Sequence, residues 1–213
     1  MRRTVLFTIG EIYHICNKSI SSYAIFRKES YSERFLNTLA YYDCEPKTSF
    51  SNNIRYRVMF QYRSVIQLEN PTFKILAYCV MPDHYHLLLS PVKSINVSHF
   101  IGTVENSYTR FYNTKNDRRG PLWQSRFRCV RIVNNEQLLH VSRYIHLNPV
   151  TADLVKEPQC WEFSSYKLYL QQSILDKIQP ISIRTSEAYK KFVMDNKDYQ
   201  KKLRWIKKQM RDD

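Results

Sequence analysis

The middle of the chain holds two apolar runs that a short polar turn separates. The residues concerned are Ala77-Tyr78-Cys79-Val80-Met81-Pro82-Asp83-His84-Tyr85-His86-Leu87-Leu88-Leu89. Apolar runs of this length on either side of a turn signal are typical of two neighbouring strands. We therefore predict strands over residues 73–80 and 84–90, and we expect both to be central in a sheet.

Weaker patterns on both sides of these strands predict an α+β fold. Residues 13–20 and 127–133 have the composition of further strands. Apolar side chains at helical spacing predict helices over residues 26–42, 54–68, 96–112 and 136–147. Ser30 is expected to cap the first of these helices, and Pro149 is expected to stop the last. This order favours a ferredoxin-like, RRM-like antiparallel sheet with helices packed on one face.

The length of 213 residues suits one domain with appendages. We assign residues 1–170 to that domain, with an insertion at residues 43–68, and residues 171–213 to a basic C-terminal extension. An apolar stripe in the extension predicts a helical tail, formed by Tyr199, Leu203, Ile206 and Met210. Docking of this helix through its stripe is favoured over contact with DNA, which stays open.

The chain is strongly basic, with 33 lysines and arginines against 19 acidic residues and a formal net charge of +14. Such a charge suits a polyanionic partner, although surplus lysine also serves solubility alone. The 16 tyrosines add rings that stack on unpaired bases or fill a sheet. Nucleic acid is therefore the leading candidate partner.

The apolar and cysteine patterns exclude a membrane-spanning protein and a protein built on disulfides or CxxC zinc sites. No run approaches the roughly 20 apolar residues of a membrane span, and the five cysteines form no CxxC pair or disulfide framework. The sequence thus predicts a cytoplasmic protein with reduced cysteines and no membrane partner.

His84 and His86 are separated by one residue within a predicted strand. Because side chains alternate across a sheet, both imidazoles leave from the same face. Together with phosphate and water oxygens, such a pair can hold Mg²⁺ or Mn²⁺. The spacing alone favours a plain pair of surface histidines over a metal site.

The surroundings of this pair closely resemble the signature of REP-associated tyrosine transposases, which are HUH-type single-tyrosine enzymes of the IS200-like group. Later blocks resemble the same family in the same order: Gly120-Pro121-Leu122-Trp123-Gln124-Ser125-Arg126-Phe127, Arg143-Tyr144-Ile145-His146-Leu147-Asn148-Pro149-Val150 and Trp161-Glu162-Phe163-Ser164-Ser165-Tyr166. The resemblance spans residues 13–170 and is weakest over residues 43–68. Residues 13–19 resemble the opening strand of the family, although arginine and often glycine stand where this chain has Lys18 and Ser19.

The resemblance implies a nucleophile and a metal site. Tyr144 would attack the DNA phosphate and form a 5′-phosphotyrosine, while His84, His86 and Asn148 would hold Mg²⁺ or Mn²⁺. Asn148 follows Tyr144 by four residues, so a helix places both on one face. Its position before Pro149 also suits a helix cap, and the ligand role is favoured. The implied partner is single-stranded or hairpin DNA in the nucleoid of a bacterial or archaeal cell, bound by a monomer or homodimer.

Other aromatic and histidine residues are weaker candidates for the chemistry. Tyr108 and Tyr112 could rival Tyr144, but their spacing fits core packing. His146 is interpreted as a packing or surface residue, and His140 as a neighbour of the site.

Five arginines are the main candidates for contacts with the DNA backbone, because guanidinium groups match phosphate oxygens. They are Arg118, Arg119, Arg126, Arg128 and Arg131. The alternative is a solvated basic edge that discourages strand pairing. Trp123 and Phe127 could stack on a base, although Trp123 is expected to anchor the turn in the core.

Three functions therefore stand at this point. The favoured one is a metal-dependent transposase or nickase that cuts and rejoins single-stranded DNA. The second is a domesticated, non-catalytic protein that binds folded DNA or RNA. The third is a replication or transfer relaxase, which shares the histidine pair but differs in the surrounding blocks.

Overall fold

The computed structural model describes residues 7–43, 48–50, 71–94, 96–171 and 182–202. Its main elements are, in chain order, β1 (Ile12–Lys18), α1 (Glu29–Asp43), β2 (Phe73–Val80), β3 (His84–Pro91), α2 (Val97–Lys115), β4 (Arg128–Ile132), α3 (Asn135–Thr151), α4 (Tyr166–Tyr169) and α5 (Ser186–Met194). The predicted helix at residues 54–68 lies outside the described residues, as does most of the predicted insertion. Among the helices that are described, none is long and apolar enough to cross a membrane.

The four strands form one antiparallel sheet in the order β2-β3-β1-β4. Together with the element order β1-α1-β2-β3-α2-β4, this is the ferredoxin-like arrangement. The predicted fold class is therefore confirmed. The two apolar runs form β2 and β3. Strand β3 is central, between β2 and β1, whereas β2 is the first strand of the order, so the expectation of a central position is wrong for β2. Residues 163–165 cover β2 through backbone hydrogen bonds with Tyr78 and Val80, which explains its apolar composition.

Contacts divide the chain into two compact units. The first contains residues 1–76 and 82–131, and the second contains residues 77–81 and 132–213. The first unit thus holds most of the sheet with α1 and α2, whereas the second holds the end of β2 with α3, α4 and α5.

Strand β1 presents different chemistry on its two faces. Tyr13, Ile15 and Asn17 are buried, whereas His14 and Cys16 on the alternate face are partly exposed. This alternation follows from the two-residue period of a strand. The sheet therefore has a core face and an opposite face that carries the polar donors of β1.

Helix α2 closes the core face of the sheet through the buried carboxyl group of Glu105. Its Oε1 atom accepts hydrogen bonds of 2.7 Å from Asn17 Nδ2 on β1 and 2.7 Å from the Tyr85 hydroxyl on β3. Burial, the largest influence, raises the pKa of Glu105 although both donors act to lower it. The side chain thus links the two central strands to a helix.

Two predicted helix ends differ from the structure. Helix α1 begins at Glu29, so Ser30 lies inside it and caps nothing. The backbone N–H of Phe26 instead donates to Pro82 O, which fixes residues before the helix to the turn between β2 and β3. Helix α3 runs through Pro149 to Thr151. Because residues 145–151 are buried, packing outweighs the helix-breaking tendency of the proline.

Helix α5 supplies a docked helix within the predicted C-terminal extension. Tyr189 and Val193 are its buried residues, and the Tyr189 hydroxyl bonds to Ser142 Oγ on α3 at 3.0 Å. The stripe predicted from Tyr199 onward lies mostly beyond residue 202, outside the described residues.

We predict that Glu105→Ala destabilises the first unit, because it leaves the buried donors of Asn17 and Tyr85 without their acceptor. The free energy of unfolding should fall by about 3 kcal/mol, compared with about 1 kcal/mol for Tyr85→Phe, which removes one donor only. Urea denaturation measures both values. Glu136→Ala removes an exposed carboxylate and is the control. Equal effects of Glu105→Ala and Glu136→Ala would contradict the buried-acceptor role.

Candidate active site

The structure places His84 and His86 on β3, at the start of the strand and two residues along it. Their ring centroids lie 5.1 Å apart, and the rings are nearly perpendicular. The register of the sheet pairs Lys18 with His84 and Cys16 with His86. Both histidines therefore lie on the face of the sheet opposite Glu105, as the alternation of the strand requires.

Asp83 orients the first of these imidazoles. Its Oδ1 atom lies 2.5 Å from His84 Nδ1, and Lys18 Nζ lies 3.3 Å from its Oδ2. Burial, the largest single influence, raises the pKa of Asp83, but the hydrogen bonds and charges of His84 and Lys18 together outweigh it and lower that pKa. An ionised Asp83 accepts the Nδ1 proton, which presents Nε2 of His84 as a lone-pair donor.

His14 and Cys16 on β1 extend the donor group beyond the residues that the sequence analysis selected. His14 Nε2 lies 3.0 Å from His86 Nδ1. The ligand atoms of His14, Cys16 and His86 all lie within 4.8 Å of one another. The signal for both residues was available as alternation on β1, but selecting them also required the register between β1 and β3.

The buried imidazoles are held in the neutral form that a metal ion requires. Burial lowers the pKa of His14 to about 4. Burial also lowers the pKa of His86 well below its ordinary value, and the neighbouring His84 and His14 act in the same direction. Neutral imidazole is the form in which histidine binds a metal ion, so His14 and His86 fit a divalent cation.

Tyr144 and Asn148 lie one turn apart on α3, in the second unit, whereas His84 and His86 belong to the first. Tyr144 is 41% exposed, and Asn148 is buried. Asn148 Nδ2 donates to Tyr144 O at 3.0 Å. Because α3 continues to Thr151, Asn148 does not cap the helix, and its proposed role as a ligand is the reading that stays open.

Two other side chains from the same motif anchor α3. His146 is buried, and its two nitrogens lie 2.8 Å from the Tyr189 hydroxyl and 2.8 Å from Ser165 Oγ. Arg143 donates to Phe192 O on α5, and its guanidinium lies 4.3 Å from the centre of the Phe192 ring. His146 therefore packs, as expected, and α5 holds the helix that carries Tyr144.

The weaker candidates are also placed. The Tyr108 hydroxyl is buried and donates to Ile25 O at 2.7 Å, so this residue packs in the core. Tyr112 is half-buried beside Tyr31. His140 is exposed and accepts from Arg143 at 2.7 Å. Trp123 donates to Thr109 Oγ1 at 3.1 Å and contacts the ring of Tyr85, which is the anchoring role expected for it.

The basic segment around residues 118–131 divides into engaged and solvent-facing arginines. Arg118 donates to Asn113 Oδ1 and Pro121 O and so stabilises its own turn. Arg131 forms an ion pair of 2.7 Å with Glu11. Arg119, Arg126 and Arg128 are exposed, and Arg131 is also exposed despite its ion pair.

Part of this segment runs beside the histidine strands. The backbone of Gln124 donates to Lys18 O, and Ile20 donates to Leu122 O. Since Lys18 is paired with His84, these bonds hold the segment at the end of β1 that lies beside His84.

Comparison with known proteins shows similarity to transposases. A family model described as "Transposase IS200 like" matches residues 47–148. A Haemophilus influenzae protein named as a REP-associated tyrosine transposase is 30% identical over 108 residues, which are 46% of this chain and 61% of that protein. The chain thus spans less than two thirds of the length of this curated relative.

A solved structure supports the fold. The structure of a REP-associated tyrosine transposase bound to a REP hairpin matches with a TM-score of 0.59 and 17% identity, covering 86% of this chain and 90% of that one. The solved structure shares the fold, and residues 47–148 are similar to the IS200-like transposase family. Over the region aligned with the Haemophilus influenzae protein, the chain is also similar to the REP-associated tyrosine transposases.

Burial of His146 predicts a loss of stability in acid. Burial lowers the pKa of His146 from its ordinary 6.5 to about 3. Between these values the unfolded chain binds the proton and the folded chain does not. The part of the free energy of unfolding that depends on neutral His146 is therefore fully present above pH 6.5 and is lost as pH falls toward 3. Urea denaturation of wild type should show up to ~1.4 kcal/mol lost per pH unit from this group, and His146→Gln should flatten that slope. Equal slopes of stability against pH for wild type and His146→Gln would contradict the lowered pKa of His146.

Proposed function

We propose that this chain is a metal-dependent transposase that cuts and rejoins single-stranded DNA through a tyrosine. The observation that carries the proposal is the occurrence, within the family match at residues 47–148, of a same-face histidine pair and an exposed tyrosine on an anchored helix. Tyr144 is the proposed nucleophile, and His84, His86 and Asn148 are the proposed ligands of Mg²⁺ or Mn²⁺.

The proposed reaction exchanges one phosphate ester for another. The Tyr144 oxygen forms a bond to phosphorus as the bond from phosphorus to the DNA 3′ oxygen breaks. The phenol proton leaves by way of solvent, and the 3′ oxygen ends as a hydroxyl group. A later attack by a 3′ hydroxyl on the 5′-phosphotyrosine restores Tyr144 and rejoins DNA, so that no external energy source is required.

The residues around the site would divide this work. A bound divalent ion would polarise the scissile phosphate and offset its developing charge. Asp83 orients the His84 ring, and the register of β1 and β3 sets the direction of both imidazoles. On α3, the contacts of His146 and Arg143 fix the backbone from which Tyr144 extends.

Exposed arginines beside the histidine strands would bind the DNA backbone. The proposed phosphate contacts are Arg118, Arg119, Arg126, Arg128 and Arg131. Arg119, Arg126 and Arg128 are the first to test, because the side chains of Arg118 and Arg131 also bond within the protein. The relative solved with a REP hairpin favours hairpin DNA as the substrate to test. A monomer and a homodimer are the two proposed forms of the working unit.

We predict that wild-type protein forms a denaturant-resistant adduct with labelled hairpin DNA when Mn²⁺ or Mg²⁺ is added, and none with EDTA. Tyr144→Phe should abolish the adduct, since it removes the attacking oxygen. Gel electrophoresis in denaturant measures the labelled adduct. Tyr112→Phe is the matched control, because it removes a phenol from α2 and should leave the adduct unchanged.

The outcome of this experiment also separates the alternative functions. An adduct that survives in Tyr144→Phe would move the nucleophile to another residue. Hairpin binding by the wild type without any adduct would favour the non-catalytic binding protein. An adduct with linear transfer-origin or replication-origin strands and none with hairpins would favour the relaxase.

We predict that Arg126→Ala and Arg128→Ala each weaken hairpin binding and reduce the slope of log affinity against log salt by about 1, because each removes one phosphate contact. Fluorescence anisotropy at several salt concentrations measures this slope. Arg110→Ala removes an exposed arginine from α2, on the core side of the sheet, and should leave the slope unchanged. Equal slopes for all three variants would remove this segment from the interface.

A further inference from the structure

We propose that His14, Cys16 and His86 form a binding site for Zn²⁺ that uses a different donor set from the His84 and His86 pair. Their three ligand atoms lie within 4.8 Å of one another. The inference concerns binding of the ion by these residues, and it does not depend on DNA cleavage.

The convergence of these residues follows from the backbone. Cys16 lies directly opposite His86 in the antiparallel register of β1 and β3. His14 lies two residues from Cys16 and therefore on the same face of β1. Directly opposed residues have Cβ atoms about 4.5–5.5 Å apart. The sheet itself thus brings the three side chains together.

The distances suit a tetrahedral ion. Zinc ligands lie at about 2.0–2.1 Å for nitrogen and 2.3 Å for sulfur, so neighbouring ligand atoms are about 3.3–3.5 Å apart. His14 Nε2 and His86 Nδ1 are already 3.0 Å apart. The most distant pair would need to approach by no more than about 1.3 Å. Small rotations of side chains supply a movement of this size.

The chemistry of the donors selects a borderline cation over a hard one. Two imidazole nitrogens and one thiolate favour Zn²⁺, whereas Mg²⁺ prefers oxygen ligands. Binding replaces the thiol proton of Cys16, which passes to solvent, and the fourth position is left to a water molecule. The thiol is half-buried on the sheet face, so it is accessible to an incoming ion.

The site has a consequence for the pair that we propose for cleavage. His86 belongs to both donor sets. Zn²⁺ bound by His14, Cys16 and His86 would therefore leave His84 without its partner in the proposed cleavage site. Zinc should then inhibit adduct formation in a manner that depends on Cys16. This consequence rests on the proposed function, whereas binding of the ion does not.

Titration of the metal-free full chain with Co²⁺ tests the site without DNA. Wild type should bind one Co²⁺ per chain with a thiolate-to-cobalt charge-transfer band in the near ultraviolet, and one equivalent of Zn²⁺ should remove that band. Cys16→Ser should lose the band, and His14→Asn should weaken binding by about tenfold or more. Cys129→Ser is the matched control, because it removes a half-buried thiol from β4 and should keep the band.

His84→Asn separates the two donor sets. This variant should keep the charge-transfer band if Cys16, His14 and His86 are the ligands. Absence of the band in wild type, its persistence in Cys16→Ser, or its loss in His84→Asn would each overturn the proposal. Circular dichroism confirms that each variant folds, and Cys16→Ala replaces Cys16→Ser should the serine variant fail to fold. Loss of DNA cleavage alone, with the cobalt spectrum intact, would overturn the proposed function and leave the zinc site standing.

Discussion

The antiparallel pairing of β1 with β3 is the constraint on which the candidate metal site depends. Its register sets Lys18 against His84 and Cys16 against His86. A slip of one residue would turn every side chain of a strand to the other face. The imidazoles would then enter the core, and apolar side chains would take their place. The contacts that hold the register on the core face therefore also determine which side chains meet on the opposite face.

Glu105 holds that register from the core side. Burying a carboxyl group costs free energy, and the upward shift in its pKa reflects that cost. Hydrogen bonds from Asn17 and Tyr85 offset part of it, and both donors belong to the two central strands. Asn17 lies between Cys16 and Lys18 in sequence, while Tyr85 lies between His84 and His86. The contact thus fixes the strands at the residues whose neighbours face the opposite side.

Local sequence patterns predicted the helices and strands better than they predicted which residues of different elements would come together. The alternation at His84 and His86, and the helical spacing in α2 and α3, depend on residues close in sequence, so both could be predicted. The same alternation applies to His14 and Cys16, but their approach to His86 depends on strands separated by more than sixty residues. The predicted helix end at Pro149 was wrong, because the tendency of proline to end a helix does not take account of the burial of the surrounding residues. The sequence likewise does not show that nearby carbonyl groups accept hydrogen bonds from Arg118, a proposed phosphate contact.

The motif around Tyr144 combines packing residues with the proposed nucleophile on a single helix. Arg143 stacks on Phe192, and His146 bonds to Ser165 and Tyr189, so the flanking side chains are committed to packing. Tyr144 lies between them with 41% of its surface exposed. The carbonyl group of Tyr144 also accepts from Asn148, which fixes the local backbone further. The helix that carries Tyr144 is therefore held by its neighbours, and the proposed role of Tyr144 as nucleophile depends on this fixed backbone.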